Sequence, residues 1–146
     1  MERKSIESRI AGLTKDTLAQ FGIMTPQHMV EHLTLTVKIS YGRIKLPEFE
    51  PNEKQLAQKQ ALINSDIKFP IGIKAPVIGD KLLDLRYENL ETAKTELVKS
   101  IDDYNQHFSE FQNDQTIHPR FGKLNYEEWE RFHKKHFQHH LSQFGL

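Results

Sequence analysis

Hydrophobic residues recur at helical spacing along most of the chain, and this pattern predicts helices and no strand. One predicted helix runs from Thr25-Pro26 to about Gly42, because threonine caps a helix and proline is tolerated in its first turn. The residues on its inner face follow a 3.6-residue period: Met29, His32, Leu35, Thr36 and Ile39. We expect this helix to bury one face against the rest of the protein.

Three further segments have helical patterns. Residues 3–21 predict an interrupted helix that ends at Gly22, residues 53–64 a short polar helix, and residues 82–111 a long amphipathic helix. Stretches rich in turn residues separate the helices: 43–52, 65–80 and 113–123. The sequence therefore predicts a single all-α domain over residues 1–146, a helix bundle with a long irregular connection in the middle.

A last predicted helix begins at Asn125, which has the spacing of a capping box with Glu128. On a wheel at 100° per residue, its inward face is aromatic and also rich in imidazole. The residues on that face are Trp129, Phe132, His133, His136, His140, Gln143 and Phe144. His139 lies at the flank, and Leu141 is predicted to point outward.

Composition narrows the possible partners. Hydrophobic residues make up 37% of the 146 and charged residues 27%, which is typical of a soluble domain. No apolar run is long enough to span a bilayer, and the first residues lack the apolar stretch of a secretory signal, so we expect a cytoplasmic protein. The 20 basic and 20 acidic residues balance, so neither nucleic acid nor an anionic membrane is an expected partner.

The histidines are the candidate chemistry. The chain has eight of them and no cysteine, so a transition-metal site would use His, Asp, Glu and water. His136 and His140 lie one turn apart on the inward face, and this spacing lets two imidazoles bind one divalent ion. His32, inward on a separate helix, is the best candidate for a third ligand. The alternative is a set of core histidines that bind no ion.

The other histidines have more ordinary interpretations. His28 lies one turn before His32, where a pocket wall is favoured over a ligand, and His133 shares the inner face of the last helix. Both are candidates for proton transfer, although core packing is at least as good an interpretation of His133. We expect His139 to make a surface contact or to support a ligand, His107 to be exposed, and His118 to structure its loop. A phosphate-binding glycine loop, a serine nucleophile motif and a paired Glu-x-x-His motif are all missing from the sequence, and no organic cofactor is predicted.

The tail HFQHHLSQ, residues 136–143, resembles the signature of the DinB-like superfamily, which includes YfiT-type metal-dependent hydrolases. The early segment FGIMTPQHMVEHL and the late segment HPRFGKLNYEEWERFHKKHFQHHLSQFGL are similar to one branch of it. Residues 43–85 contribute little to the likeness. Many relatives have Arg-Gly after the paired histidines, where this chain has Leu141-Ser142, so a role of that arginine does not transfer.

The resemblance implies an antiparallel four-helix bundle with a three-histidine site at one end, formed by His32, His136 and His140. It also implies zinc or nickel as the bound metal and a possible homodimer. The activities it implies are metal-dependent hydrolysis, or transfer and isomerisation that use a low-molecular-weight thiol such as mycothiol or bacillithiol. The residues alone leave zinc, nickel, iron and manganese open, because imidazole binds several of them.

Three functional hypotheses follow. The first is a metal-dependent enzyme, a hydrolase or thiol-dependent transferase acting on a small molecule. The second is a non-catalytic metal-binding or stress-related scaffold with a closed site. The third is a helical interaction module with histidines in its core and no ion.

Overall fold

The computed structural model describes residues 1–70 and 82–146, and most of these residues are helical. Five helices and one short hairpin follow each other along the described chain: α1 (Arg3–Ala11), α2 (Pro26–Ser40), α3 (Glu53–Leu62), α4 (Leu90–Glu110), β1 (Thr116–His118), β2 (Gly122–Leu124) and α5 (Tyr126–Ser142). The all-α prediction therefore holds except for the hairpin. Part of the predicted 65–80 connection, residues 71–80, lies outside the described residues.

The helix starts agree with their capping residues. Thr25 accepts a hydrogen bond from the backbone N–H of His28 at the start of α2. Asn125 and Glu128 form the reciprocal capping box that the sequence predicts for α5. Each cap satisfies backbone donors that have no partner inside the helix. The starts of the two helices that carry the candidate ligands are therefore fixed by local sequence.

Helix α4 begins at Leu90, so the prediction of a helix from Leu82 is wrong for its first eight residues. Asn89 caps the helix by accepting from the N–H of Thr92. Before that cap the chain is irregular because the backbone N–H groups of Arg86 and Tyr87 donate to the Glu31 carboxylate, at 2.6 and 3.4 Å. A long-range contact has replaced the local helical bonds.

The hairpin between α4 and α5 is an antiparallel pair in which Thr116 faces Leu124 and His118 faces Gly122. Three-residue strands are too short to show alternation in the sequence, so the prediction of no strand missed them. The hydroxyl of Thr116 donates to the Ser40 carbonyl and accepts from the Trp129 indole N–H, both at 2.7 Å. The hairpin thus joins the end of α2 to the first turn of α5.

The core lies between α2, α4 and α5, with α1 packed against α4. Its largest fully buried side chains include Trp129, Tyr104, Met29, Leu33, Leu97 and Ile101. Leu141 is also fully buried, so the prediction that it points outward is wrong. The helical wheel assumed that α5 buries only one face. In the structure α1 lies beside the opposite face, where Arg9 bonds to Gln138 and to the carbonyl of Leu146.

Two weaker segments differ in how they are held. The helix predicted over residues 3–21 ends at Ala11, and the chain after it forms a turn in which the N–H of Thr14 donates to the Thr17 hydroxyl. Helix α3 buries none of its residues, although Ile63 directly after it is buried. Polar contacts attach α3 and the residues after it to the hairpin and α5: Lys59 with Glu128, Gln58 with Arg120, and Asn64 with Arg131. Among the described helices, none has the length and apolar character needed to cross a membrane.

Candidate metal centre

His32 of α2 and His136 and His140 of α5 converge in the interior. One candidate ligand atom from each residue lies within 4.8 Å of the other two. The Nε2 atoms of His32 and His136 are 2.9 Å apart. The i, i+4 spacing places the rings of His136 and His140 with centroids 4.6 Å apart, and α2 brings His32 against both. We call these residues the histidine trio.

Burial keeps the trio uncharged. All three side chains are buried, and desolvation is the largest cause that lowers the pKa of His32 to about 3 and of His140 to about 4. The pKa of His136 is lowered well below its ordinary value by burial and by the neighbouring imidazoles. Neutral imidazole is the form that binds a metal ion, so the trio does not need to lose protons at neutral pH.

The donor set fits a divalent ion. A tetrahedral ion with Zn–N bonds of about 2.0–2.1 Å needs nitrogens roughly 3.3 Å apart. The separations here, from 2.9 Å up to at most 4.8 Å, bracket that value. Within the described residues, the Nδ1 atoms of His32 and His136 are buried without a hydrogen-bond partner. These unpartnered atoms do not by themselves indicate an ion, because among the described residues Nδ1 of His133, outside the trio, is buried without a partner as well.

Gln143 contacts the third ring. Its Oε1 lies 2.8 Å from Nδ1 of His140. The wheel placed Gln143 on the inner face of α5, and the structure shows that it bonds to a member of the trio. Support of this kind for a ligand ring is common in metal sites.

Aromatic rings cover the His136 side of the trio. Phe132 stacks on His136 with centroids 4.9 Å apart, and Phe69 lies 5.6 Å from Phe132 and 6.2 Å from His136. Phe69 could not be identified from the pattern of residues, because it falls in a stretch predicted to be irregular. These rings exclude water from one side of the site, which strengthens electrostatic interactions there.

A small cavity of about 30 Å³ lies on the His32 side. This is room for about two water molecules. Its lining comprises Met24, His28, Glu31, His32, Leu35 and residues 82–86. Glu31 accepts hydrogen bonds from Gln27 and from the backbone of Arg86, and so holds the outer wall of the cavity against α2. The sequence did not identify Glu31, since its partners are distant in the chain.

The two residues predicted for proton transfer lie in different surroundings. His28 lies in the cavity wall with His32, and its Nδ1 is 2.6 Å from the Thr25 hydroxyl. His133 is buried in the core, where it stacks on Trp129 and its Nε2 lies 2.9 Å from the Ser40 hydroxyl. Ser40 donates its own proton to the Val37 carbonyl, so Nε2 of His133 is the donor to Ser40. Nε2 of His133 is therefore already engaged in a hydrogen bond within the core.

The remaining histidines lie outside the trio. His118 is buried, and its Nδ1 accepts from the backbone N–H groups of Arg120 and Phe121, which structures the hairpin turn as predicted. His107 was predicted to be exposed but is half-buried, because it pairs with Asp114 at 2.8 Å and contacts the ring of Phe108. His139 is half-buried, with its ring 5.0 Å from that of His140.

Residues 88–145 match a family described as a protein of unknown function, DUF1569. The match covers α4, the hairpin and α5, so it includes His136 and His140 and leaves out His32. No curated protein and no solved structure matches the chain. The comparisons therefore extend the likeness to one uncharacterised family and name no activity.

Proposed function

We propose that this protein is a metal-dependent enzyme of the DinB-like, YfiT-type kind, with His32, His136 and His140 as the ligands of one divalent ion. The convergence of three buried, neutral imidazoles from two helices is the observation that carries the proposal. The likeness of the tail HFQHHLSQ to the DinB-like signature supports it. Zinc and nickel are the favoured metals because the DinB-like resemblance implies them, whereas imidazole ligands alone would also suit iron.

We also propose that the architecture is a four-helix bundle. Helices α1, α2, α4 and α5 would be the four helices of the bundle, with α3 and the hairpin as additions to it. Packing of α2 on α4, α1 on α4 and α2 on α5 supports this assignment. The trio would then lie where α2 and α5 meet, at the end of the bundle that contains the end of α5.

An open coordination position favours an enzyme over a closed structural site. Among residues 1–70 and 82–146, the group of candidate ligands around the trio contains only these three side chains. A divalent ion on three neutral ligands keeps its charge and at least one open position, from which it polarises a water or a thiol. We therefore propose hydrolysis, or transfer of a low-molecular-weight thiol, with a small-molecule substrate.

The chain's own residues would contribute binding and exclusion of water. The cavity beside His32 opens a route to the trio, and Met24 and Leu35 give it apolar walls. His28, in the same wall, is the candidate for moving a proton, with its Nδ1 held by Thr25. Phe69 and Phe132 would keep water from the opposite side.

Metal analysis of tag-free protein tests the ligand assignment. We expect close to one equivalent of zinc or nickel in the purified or reconstituted protein and a large loss in His136→Ala. His139→Ala is the matched control, because His139 is a neighbour on the same helix outside the trio. A substoichiometric content in the wild type that His136→Ala does not change would contradict the proposal.

A non-catalytic metal-binding scaffold is the second candidate, and the burial of all three ligands favours it. In this case a fourth ligand from the protein, or the packing around the ion, would keep external ligands from binding to it. Binding of azide or a small thiol to cobalt-substituted protein, followed by visible absorption, separates the two. A change in the cobalt spectrum supports the open site of an enzyme, and an unchanged spectrum supports the scaffold.

A further inference from the structure

We propose that Gln143 is a positioning residue that fixes the tautomer and orientation of His140, and that Gly22 is a glycine because a larger residue would displace the Gln143 side chain. The consequence for metal affinity rests on the proposed function. The tautomer does not depend on it, because the contact is formed by the chain alone.

The hydrogen bond sets the tautomer. The Oε1 atom of Gln143, 2.8 Å from Nδ1 of His140, is an amide oxygen and can only accept. Nδ1 of His140 therefore carries the proton, and Nε2 keeps its lone pair. A free imidazole interconverts between two tautomers, of which only one leaves Nε2 able to bind an ion.

The other two members of the trio have no equivalent support. Within the described residues, Nδ1 of His32 and Nδ1 of His136 are buried without a partner. Gln143 is therefore the one described side chain that holds the second nitrogen of a trio ring. We expect His140 to be the ligand whose orientation is fixed before an ion arrives.

Residues 20–22 hold Gln143 at two points. Its backbone carbonyl accepts from the N–H of Gln20 at 2.6 Å. Its side-chain amide lies against Gly22, where an added Cβ would be only 2.7 Å from Nε2 of Gln143. Gly22 also has a φ of 82°, which favours glycine. The loop before α2 therefore leaves the space that the Gln143 amide occupies.

A first experiment changes the acceptor. Gln143→Leu removes it at similar volume, and Gln143→Glu restores it as a carboxylate. Long-range ¹H–¹⁵N spectra of the metal-free proteins would report the His140 tautomer, and competition with a chromophoric chelator would report zinc affinity. We expect one dominant Nδ1–H tautomer in the wild type and Gln143→Glu, and a mixture in Gln143→Leu with a zinc affinity lower by about 10–100-fold.

A second experiment uses the glycines. Gly22→Ala and Gly42→Ala both place alanine at positive φ, 82° and 77°, and both should lower the melting temperature. Their neighbours differ, because a Cβ at Gly42 would only touch the Thr116 methyl at 3.7 Å. We expect reduced zinc affinity and a mixed His140 tautomer in Gly22→Ala alone. Adding Gly22→Ala to Gln143→Leu should lower the affinity no further, since the two changes act on one contact.

The outcomes are distinguishable. If Gln143→Leu keeps both the wild-type tautomer and the wild-type affinity, the positioning role is wrong. If Gly22→Ala and Gly42→Ala behave alike, the role of Gly22 is wrong. If the wild type binds no metal, the proposed function fails, while the tautomer spectra of metal-free protein still decide whether Gln143 orients His140.

Discussion

Two groups of buried histidines lie in the interior of this protein, and they differ in which groups their ring nitrogens contact. His118 and His133 bond to partners that the fold itself supplies, a pair of backbone N–H groups and the Ser40 hydroxyl. In the histidine trio, the Nε2 atoms of His32 and His136 contact each other instead. An unpartnered Nδ1 does not separate the two groups, because within the described residues His133 has one, as His32 and His136 do. We call His118 and His133 the paired histidines.

The difference teaches how to separate structural imidazoles from candidate metal ligands. Both groups are buried and both have lowered pKa values, caused mainly by desolvation. Burial and pKa therefore do not distinguish them. The distinguishing feature is what the ring nitrogens contact: another part of the chain for the paired histidines, and another imidazole for His32 and His136. Only nitrogens that converge on one another can bind the same cation.

The largest expected difference is the response to metal. At a free zinc concentration of about 100 times Kd, binding stabilises the folded form by about 2.7 kcal/mol. For a chain of this size, that corresponds to a rise in Tm of roughly 5–10 °C. Calorimetry with zinc and with a chelator should show this rise in the wild type and lose it in His32→Ala.

The paired histidines provide the control for that measurement. His118→Asn should keep the zinc-dependent rise in Tm, because His118 lies outside the trio. An equal loss of the rise in both variants would remove the distinction between the two groups.

The next largest effect is on folding stability. His118→Ala should lower the free energy of unfolding by about 2–3 kcal/mol, because it leaves the N–H groups of Arg120 and Phe121 without their acceptor and removes a ring stacked on Phe121. His118→Asn offers a side-chain oxygen near the same position and should recover part of the loss. Urea denaturation of both variants measures the difference, and equal losses would show that the acceptor is unimportant.

The pH dependence of stability gives a smaller effect with a definite sign. Burial, with help from the Arg120 charge, lowers the pKa of His118 to about 3 in the folded protein, against about 6.5 when unfolded. The unfolded chain therefore binds the extra proton between these values, and this contribution to stability is complete above pH 6.5 and is lost as the pH falls toward 3. In metal-free protein, His118→Asn should reduce the slope between pH 4 and 6 by about 1.4 kcal/mol per pH unit. An unchanged slope would show that His118 is protonated in the folded state.

The smallest effect concerns Ser40. Ser40→Ala removes the acceptor for Nε2 of His133 and should cost about 1 kcal/mol of stability. Zinc affinity should be unchanged, because the bond between Ser40 and His133 involves no member of the histidine trio. A clear fall in zinc affinity in Ser40→Ala would instead connect His133 to the ion, as the proton-transfer hypothesis for His133 requires.

The sequence predicted those features that depend on local spacing. Thr25 and Asn125 start α2 and α5 as expected, and the helical period alone places His136 and His140 on one face. The inward position of His32 followed from the same period. Because the trio needs only two helices with correct inward faces, its members could be named before their geometry was known.

Features set by distant contacts could not be predicted in this way. Leu82 to Asn89 had a helical pattern, but the bond from Arg86 to Glu31 spans 55 residues and holds the segment in another conformation. Leu141 had a polar-face position on the wheel and is buried all the same. Phe69 lies in a stretch without periodicity and covers His136 only through tertiary packing.

The separation of the candidate ligands along the chain has a consequence for folding kinetics. His136 and His140 are neighbours within α5 and can meet as soon as that helix forms, whereas His32 lies 104 residues before His136. Bringing them together requires closing that long loop, a step that is slow compared with helix formation. An unfolded or partly folded chain thus offers two ligands, and the third arrives only when α2 docks on α5. Tight binding of an ion would therefore report that α2 has docked on α5.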